Sequence, residues 1–188
     1  MAIQIGQPAL PTFNEPLALL KDCHRRIEHF LDVFLLVANQ ASGNPLSTSQ
    51  REALETALRY FQEGAPKHTQ DEEVSLFPRL RSLACGQDQA VEAILQKMDV
   101  LESDHRRAEI AHAEVDKICR RWLAENHLQS AEAQRLISLL NELQQTYSRH
   151  IRLEDDEVFP TAGQLLAPET LKTIGSEMAA RRGQKVQR

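Results

Sequence analysis

Turn glycines, aromatic side chains and paired cysteines are all scarce in this chain of 188 residues. Seven glycines and 5% aromatics disfavour a β-sandwich or barrel, which needs many turns and strands rich in aromatic and β-branched residues. Cys23, Cys85 and Cys119 are odd in number, widely spaced and never in a C-x-x-C pair. That argues against a disulfide framework or a thiolate zinc site, and leads us to expect a reducing, cytoplasmic setting. The formal net charge is −5, so the basic face of a nucleic-acid binder is not expected. No apolar run approaches the roughly eighteen residues of a membrane span. The first twenty residues lack a basic start and are interrupted by prolines, unlike a secretory signal.

What is abundant is Leu, Ala, Glu, Gln and Arg, the strong helix formers. Hydrophobic residues make up 41% and charged residues 26%, enough for one packed domain. Residues 1–15 read as an irregular arm. Leu20, Ile27, Leu31, Phe34 and Ala38 then recur at helical steps from about Pro16 to Ala41, with His24 filling the gap. A loop over 42–49 follows, and Ser49 with Glu52 has capping-box spacing. The second helix carries Leu54, Leu58, Phe61, Ala65, His68, Glu72 and Leu76 on one face, with a kink expected at Gly64 and Pro66. The third carries Ile94, Met98, Leu101, His105, Ala108, His112, Val115, Cys119 and Trp122. After a turn at Asn126-His127, with Ser130 as expected N-cap, the fourth carries Leu136, Leu140, Leu143, Tyr147, His150, Glu154 and Val158. Pro160 and Gly163 are expected to close it. Pro168 starts a short fifth helix to about Ala180, and RRGQKVQR reads as a frayed basic tail. The expected fold is all-α: an antiparallel up-down-up-down four-helix bundle over 16–163, followed by a C-terminal helix and tail over 164–188.

The chain also repeats itself. Cys23-His24-Arg25-Arg26-Ile27-Glu28 returns 81 residues later as Asp104-His105-Arg106-Arg107-Ala108-Glu109. His68-x-x-x-Glu72-Glu73, followed by Phe77-Pro78, returns 82 residues later as His150-x-x-x-Glu154-Asp155, followed by Phe159-Pro160. Two copies of one helical hairpin place the repeated side chains around a pseudo-twofold axis. Each histidine falls on the apolar stripe, and Glu72 and Glu154 share that stripe one turn on. The four histidines lie at nearly equal distances from the loops that join their helices, so an antiparallel bundle brings them to one height. Buried carboxylates are costly unless compensated, and four His with two Glu in one layer point to a metal centre. Nitrogen and oxygen donors without thiolate suit non-haem iron, manganese or zinc. Six ligands exceed one tetrahedral zinc and are a natural number for two metals bridged by both carboxylates.

With these motifs in hand, the chain resembles the hemerythrin-like HHE cation-binding family over roughly residues 16–160. The resemblance implies a four-helix bundle with two non-haem iron ions, ahead of manganese or zinc. It implies His24, His68, His105 and His150 as terminal ligands, with Glu72, Glu154 and an oxo or hydroxo group as bridges. It implies a small-molecule ligand, O2, NO or H2O2, and no nucleic-acid or membrane partner. Oxygen carriers of the family have a fifth histidine in an HxxxH pair, and Glu109 stands at that place here. The nearer resemblance is to the four-His, two-Glu branch, which includes iron–sulfur repair proteins and iron sensors. Three readings follow: binding or sensing of O2 or NO, an enzyme that decomposes peroxide or reduces NO, and iron storage or donation.

Residues around the six carry expectations of their own. Glu28 and Glu109 are hydrogen-bond acceptors for a ligand imidazole, an extra metal ligand of the ferritin-like type, or solvated edges beside Arg25 and Arg106. Tyr147 either hydrogen-bonds a metal-bound oxygen or is a core tyrosine with its hydroxyl satisfied. His112, about 10 Å along the helix from His105, is expected to be a core histidine outside the cluster. His29 and His127 should face solvent. Glu73 and Asp155 either add negative charge near the metals or face water.

Overall fold

The computed structural model describes residues 11–83 and 89–184, and every regular element among them is helical. Cys85, the first ten residues of the arm and the last four of the tail lie outside the described residues. Helix α1 spans Pro16–Ala41, α2 Thr48–Glu63, α3 Ala65–Gln70 and α4 Phe77–Arg81. Helix α5 spans Gln89–Glu125, α6 Ser130–Leu153, α7 Phe159–Leu165 and α8 Pro168–Arg181. Helix α1 packs on α2 and α6, while α5 packs on α6 and meets α2 and α4. The four long segments thus form a closed ring of neighbours, as a helical bundle requires.

Local chemistry sets the ends. Gly64 separates α2 from α3 where the kink was expected. The cap of α2 is Ser47 rather than Ser49: its hydroxyl accepts from the Gln50 N–H, and the Gln50 side chain returns the bond. Gln129 rather than Ser130 caps α6, reciprocally with Glu132. Pro160 does not close the fourth helix. It sits in the first turn of α7, where its missing N–H does no harm, and the helix runs on to Leu165. Between α3 and α4, Asp71–Leu76 forms a π-helical segment, and Glu154–Val158 forms another between α6 and α7. In each, the N–H of Phe77 or Phe159 donates to a carbonyl five residues back, on Glu72 or Glu154. The proline that follows has no N–H to continue the ordinary ladder.

The interior divides into two apolar clusters. One gathers Ile27, Phe34, Leu58, Ala108, Trp122 and Leu143 toward the α1–α2 and α5–α6 loops. There the Trp122 indole donates to the Asn44 carbonyl at 3.0 Å, and Leu128 N–H donates to the Gly43 carbonyl at 2.9 Å. Gly43 turns this corner at φ +80°, a conformation that disfavours a Cβ. The other cluster gathers Leu20, Leu76, Met98, Leu101, Phe159 and Met178 at the opposite end. Each fully buried side chain of this size contributes roughly 1.5–3 kcal/mol. His24 lies between Leu20 and Ile27, and His105 between Leu101 and Ala108. The polar layer is therefore sandwiched between two apolar blocks.

Helix α8 covers the second block. Arg181 and Arg182 are not part of a frayed tail. They grip Asp71 at 2.6 and 2.7 Å, and Asp71 is fully buried. Arg181 also bonds the Ser75 hydroxyl, and Arg79 makes a forked contact to Glu177 at 2.8 and 3.1 Å. Burial outweighs the arginines and pushes the Asp71 carboxyl up from its ordinary value. The chain leading into α1 crosses α8 so closely that a Cβ on Gly175 would sit 1.8 Å from the Phe13 carbonyl oxygen.

Candidate metal centre

The structure brings His24, His68, Glu72, His105, His150 and Glu154 together. Helix α1 supplies His24, α3 His68, α5 His105 and α6 His150, while Glu72 is the second residue of the first π-helical segment and Glu154 opens the second. His24, His68, Glu72 and Glu154 form one group whose ligand atoms lie within 4.8 Å of one another. Glu72, His105, His150 and Glu154 form a second. The two groups share both glutamates. Glu72 faces them with different oxygens: Oε1 lies 3.2 Å from His68 Nε2, and Oε2 lies 3.4 Å from His105 Nε2. Glu154 Oε2 lies 3.0 Å from His24 Nε2 and 3.2 Å from His150 Nε2.

The chemistry of these atoms is incomplete. Glu72 and Glu154 have 0% exposure, and none of their carboxylate oxygens has a hydrogen-bond partner among the described residues. His24 Nε2 is in the same state. Native interiors leave few such atoms unsatisfied, since each costs on the order of 1–3 kcal/mol. In the protein alone, protons supply the compensation. Burial opposes charge on His24, but contacts with Asp155, Glu154 and Glu72 prevail and push its pKa up to about 12. Burial likewise opposes charge on His105, and Glu72, Glu154 and Glu73 push it up to about 9. His68 goes the other way, down to about 4, because burial outweighs the nearby carboxylates. Despite burial, the surrounding imidazoles hold Glu72 well below the usual carboxylate range and lower Glu154 as well.

The carboxylates that orient the rings are Asp155 and Glu73. His24 Nδ1 meets Asp155 Oδ1 at 3.0 Å, and His105 Nδ1 meets Glu73 Oε1 at 2.8 Å. Each is thus a carboxylate of one hairpin serving a histidine of the other. Glu28 and Glu109 do not take this role: both are exposed, because Leu20–His24–Glu28 and Leu101–His105–Glu109 are each two steps of four in succession, which drift about 80° off the core face of an α-helix. The repeat contained the signal, since Glu73 and Asp155 are 82 residues apart and each follows a core glutamate. Tyr147 turns its hydroxyl to His112 Nε2 at 3.2 Å, and His112 stacks on Phe61 at 4.3 Å. His29 and His127 are exposed. Cys23 and Cys119 are buried free thiols.

A buried His4Glu2 layer in a helical bundle defines a cation-binding class of protein. The family model for the hemerythrin HHE cation-binding domain matches residues 15–162, and the chain belongs to that family. It is also 27% identical to an uncharacterised protein of Haemophilus influenzae, over 96% of this chain and 98% of the relative. No helix among the described residues is long and apolar enough to cross a membrane.

Proposed function

We propose that this protein is a non-haem di-iron protein whose centre binds or reacts with O2, NO or peroxide. His24 and His68 would hold one iron and His105 and His150 the other, with Glu72 and Glu154 common to both groups. The bundle of residues 16–163 carries the centre in up-down-up-down order, with 164–188 appended. The observation that carries this reading is the set of four buried carboxylate oxygens without hydrogen-bond partners, shared by two histidine pairs. The donor set fits: imidazole and carboxylate suit iron, and the helical bundle is a common host for such pairs. When bound, two ferrous ions supply electrons to a small oxidant without a protein nucleophile. The chain's own residues do the rest. Asp155 and Glu73 fix the tautomer and orientation of His24 and His105. Phe159 stacks on His24 with centroids 5.5 Å apart, and helps keep water from that side. Buried free thiols at Cys23 and Cys119 fit a cytoplasmic setting.

Metal analysis of protein purified without a metal-affinity step tests the proposal. Two irons per chain are expected, and loss of both in the Glu72→Ala/Glu154→Ala double variant. Absence of stoichiometric metal, or two irons retained by that variant, would overturn it. Stopped-flow mixing of the anaerobic ferrous protein then separates the reactivities. A long-lived oxy or nitrosyl band marks binding, and catalytic O2 release from peroxide marks an enzyme.

A further inference from the structure

A pocket of about 560 Å3 opens between α2, α3 and α5, and of the six clustered residues only His105 lines it. A diatomic needs a space on the order of one or two waters, each about 30 Å3 in the liquid. Sites for organic ligands span roughly 300–1,000 Å3, so this pocket is built on the organic scale. Phe34, Leu58, Phe61 and Val115 form an apolar part of its lining, beside the polar Gln62, Thr69 and Gln70. His112 and Tyr147 also line it, paired with each other.

That pair has a hydrogen to spare. Burial pushes the His112 pKa down to about 4 and the Tyr147 hydroxyl up, so both rings are neutral near pH 7. Together they carry two polar hydrogens, and their mutual contact at 3.2 Å uses one. Either the tyrosine O–H or the imidazole Nδ1–H is left, and neither has another partner among the described residues. The lining carries Glu73, Glu109 and Asp116 against Arg106 and His105, an acidic excess that disfavours an anionic guest.

We propose that this pocket binds a neutral, ring-sized organic molecule with a hydrogen-bond-accepting oxygen, a phenol or quinone, on the free hydrogen of the His112–Tyr147 pair. The aromatic wall of Phe34 and Phe61, stacked at 5.5 Å, receives the ring. Binding here does not depend on the metal reading, and metal content is measured separately, so the two stand or fall apart.

The test is a chemical-shift titration of the full-length protein, as purified and after chelator treatment, with phenol, benzene and benzoate. Phenol should saturate with Kd of about 1 mM or tighter and shift Phe61, His112 and Tyr147 resonances. Benzene and benzoate should bind about tenfold more weakly. Ala113→Trp, at an exposed lining position, should abolish phenol binding without loss of helix by circular dichroism. Tyr147→Phe with His112→Phe should erase the preference for phenol over benzene. No saturable shift at these residues, equal binding of phenol and benzene, or unchanged phenol binding by Ala113→Trp would overturn the proposal.

Discussion

Replacing Arg181 and Arg182 by methionine should destabilise the protein far more than their surface position implies. The two arginine side chains are 17% and 19% exposed, whereas that of Asp71 is at 0%. Methionine retains most of the stem packing but strands a carboxylate in the interior. Breaking a buried pair in this way costs about 3–5 kcal/mol, because the orphaned charge has no other ion-pair partner among the described residues. For a domain of this size each kcal/mol moves Tm by about 2–4 °C, so a fall of roughly 6–20 °C is expected. Adding Asp71→Leu to the double variant should recover most of that loss. The second hairpin already carries Leu153 at the matching position. Burial outweighs the arginines at Asp71, so an apolar replacement of the whole cluster has little net interaction energy to lose. Urea denaturation and thermal melts of the metal-free protein measure both steps. If the methionine variant loses less than about 1 kcal/mol, or Asp71→Leu deepens the loss, the account of the clamp is wrong.

Other outcomes follow from the same geometry. Metal uptake near pH 7 should release about two protons, from His24 and His105, and weaken as pH falls; calorimetry in buffers of different ionisation enthalpy counts them. Zero release would contradict the protonated cluster. Asp155→Asn should weaken metal binding about 10- to 100-fold while leaving the helices intact, read by competition with a chelator. His112 is held at about 4 against 6.5, so the unfolded chain takes up the proton first as pH drops. Its contribution to stability is present above pH 6.5 and is lost between about 6.5 and 4. His112→Gln should flatten the pH dependence of unfolding in that window, and an unchanged slope would argue against a neutral buried imidazole.

The bundle and the six clustered residues were legible because each histidine and glutamate occupies an apolar position in a 3.6-residue pattern. The π-helical segments were not read, although the spacing held their trace. Both stripes step 4-3-4-3 and then 4-4, through His68, Glu72 and Leu76 and through His150, Glu154 and Val158. Two successive fours overshoot an α-helix and suit a wider turn, which keeps the glutamate and the next apolar residue facing inward. Asp71 was missed because an acidic residue reads as surface, even though its repeat mate Leu153 is apolar. The contacts of Arg181 and Arg182 with Asp71 join residues 110 and 111 positions apart, and no local pattern encodes them.

The pocket meets only one half of a centre that the repeated hairpin makes nearly symmetric. His105 stands at its inner wall, whereas His24 is 1% exposed and stacked beneath Phe159. The pocket thus reaches the His105 side of the cluster and not the His24 side, and the two sides share Glu72 and Glu154. Duplication supplied matching halves, and the later divergence of Ala65 and Tyr147 at one repeat position gave them a front and a back.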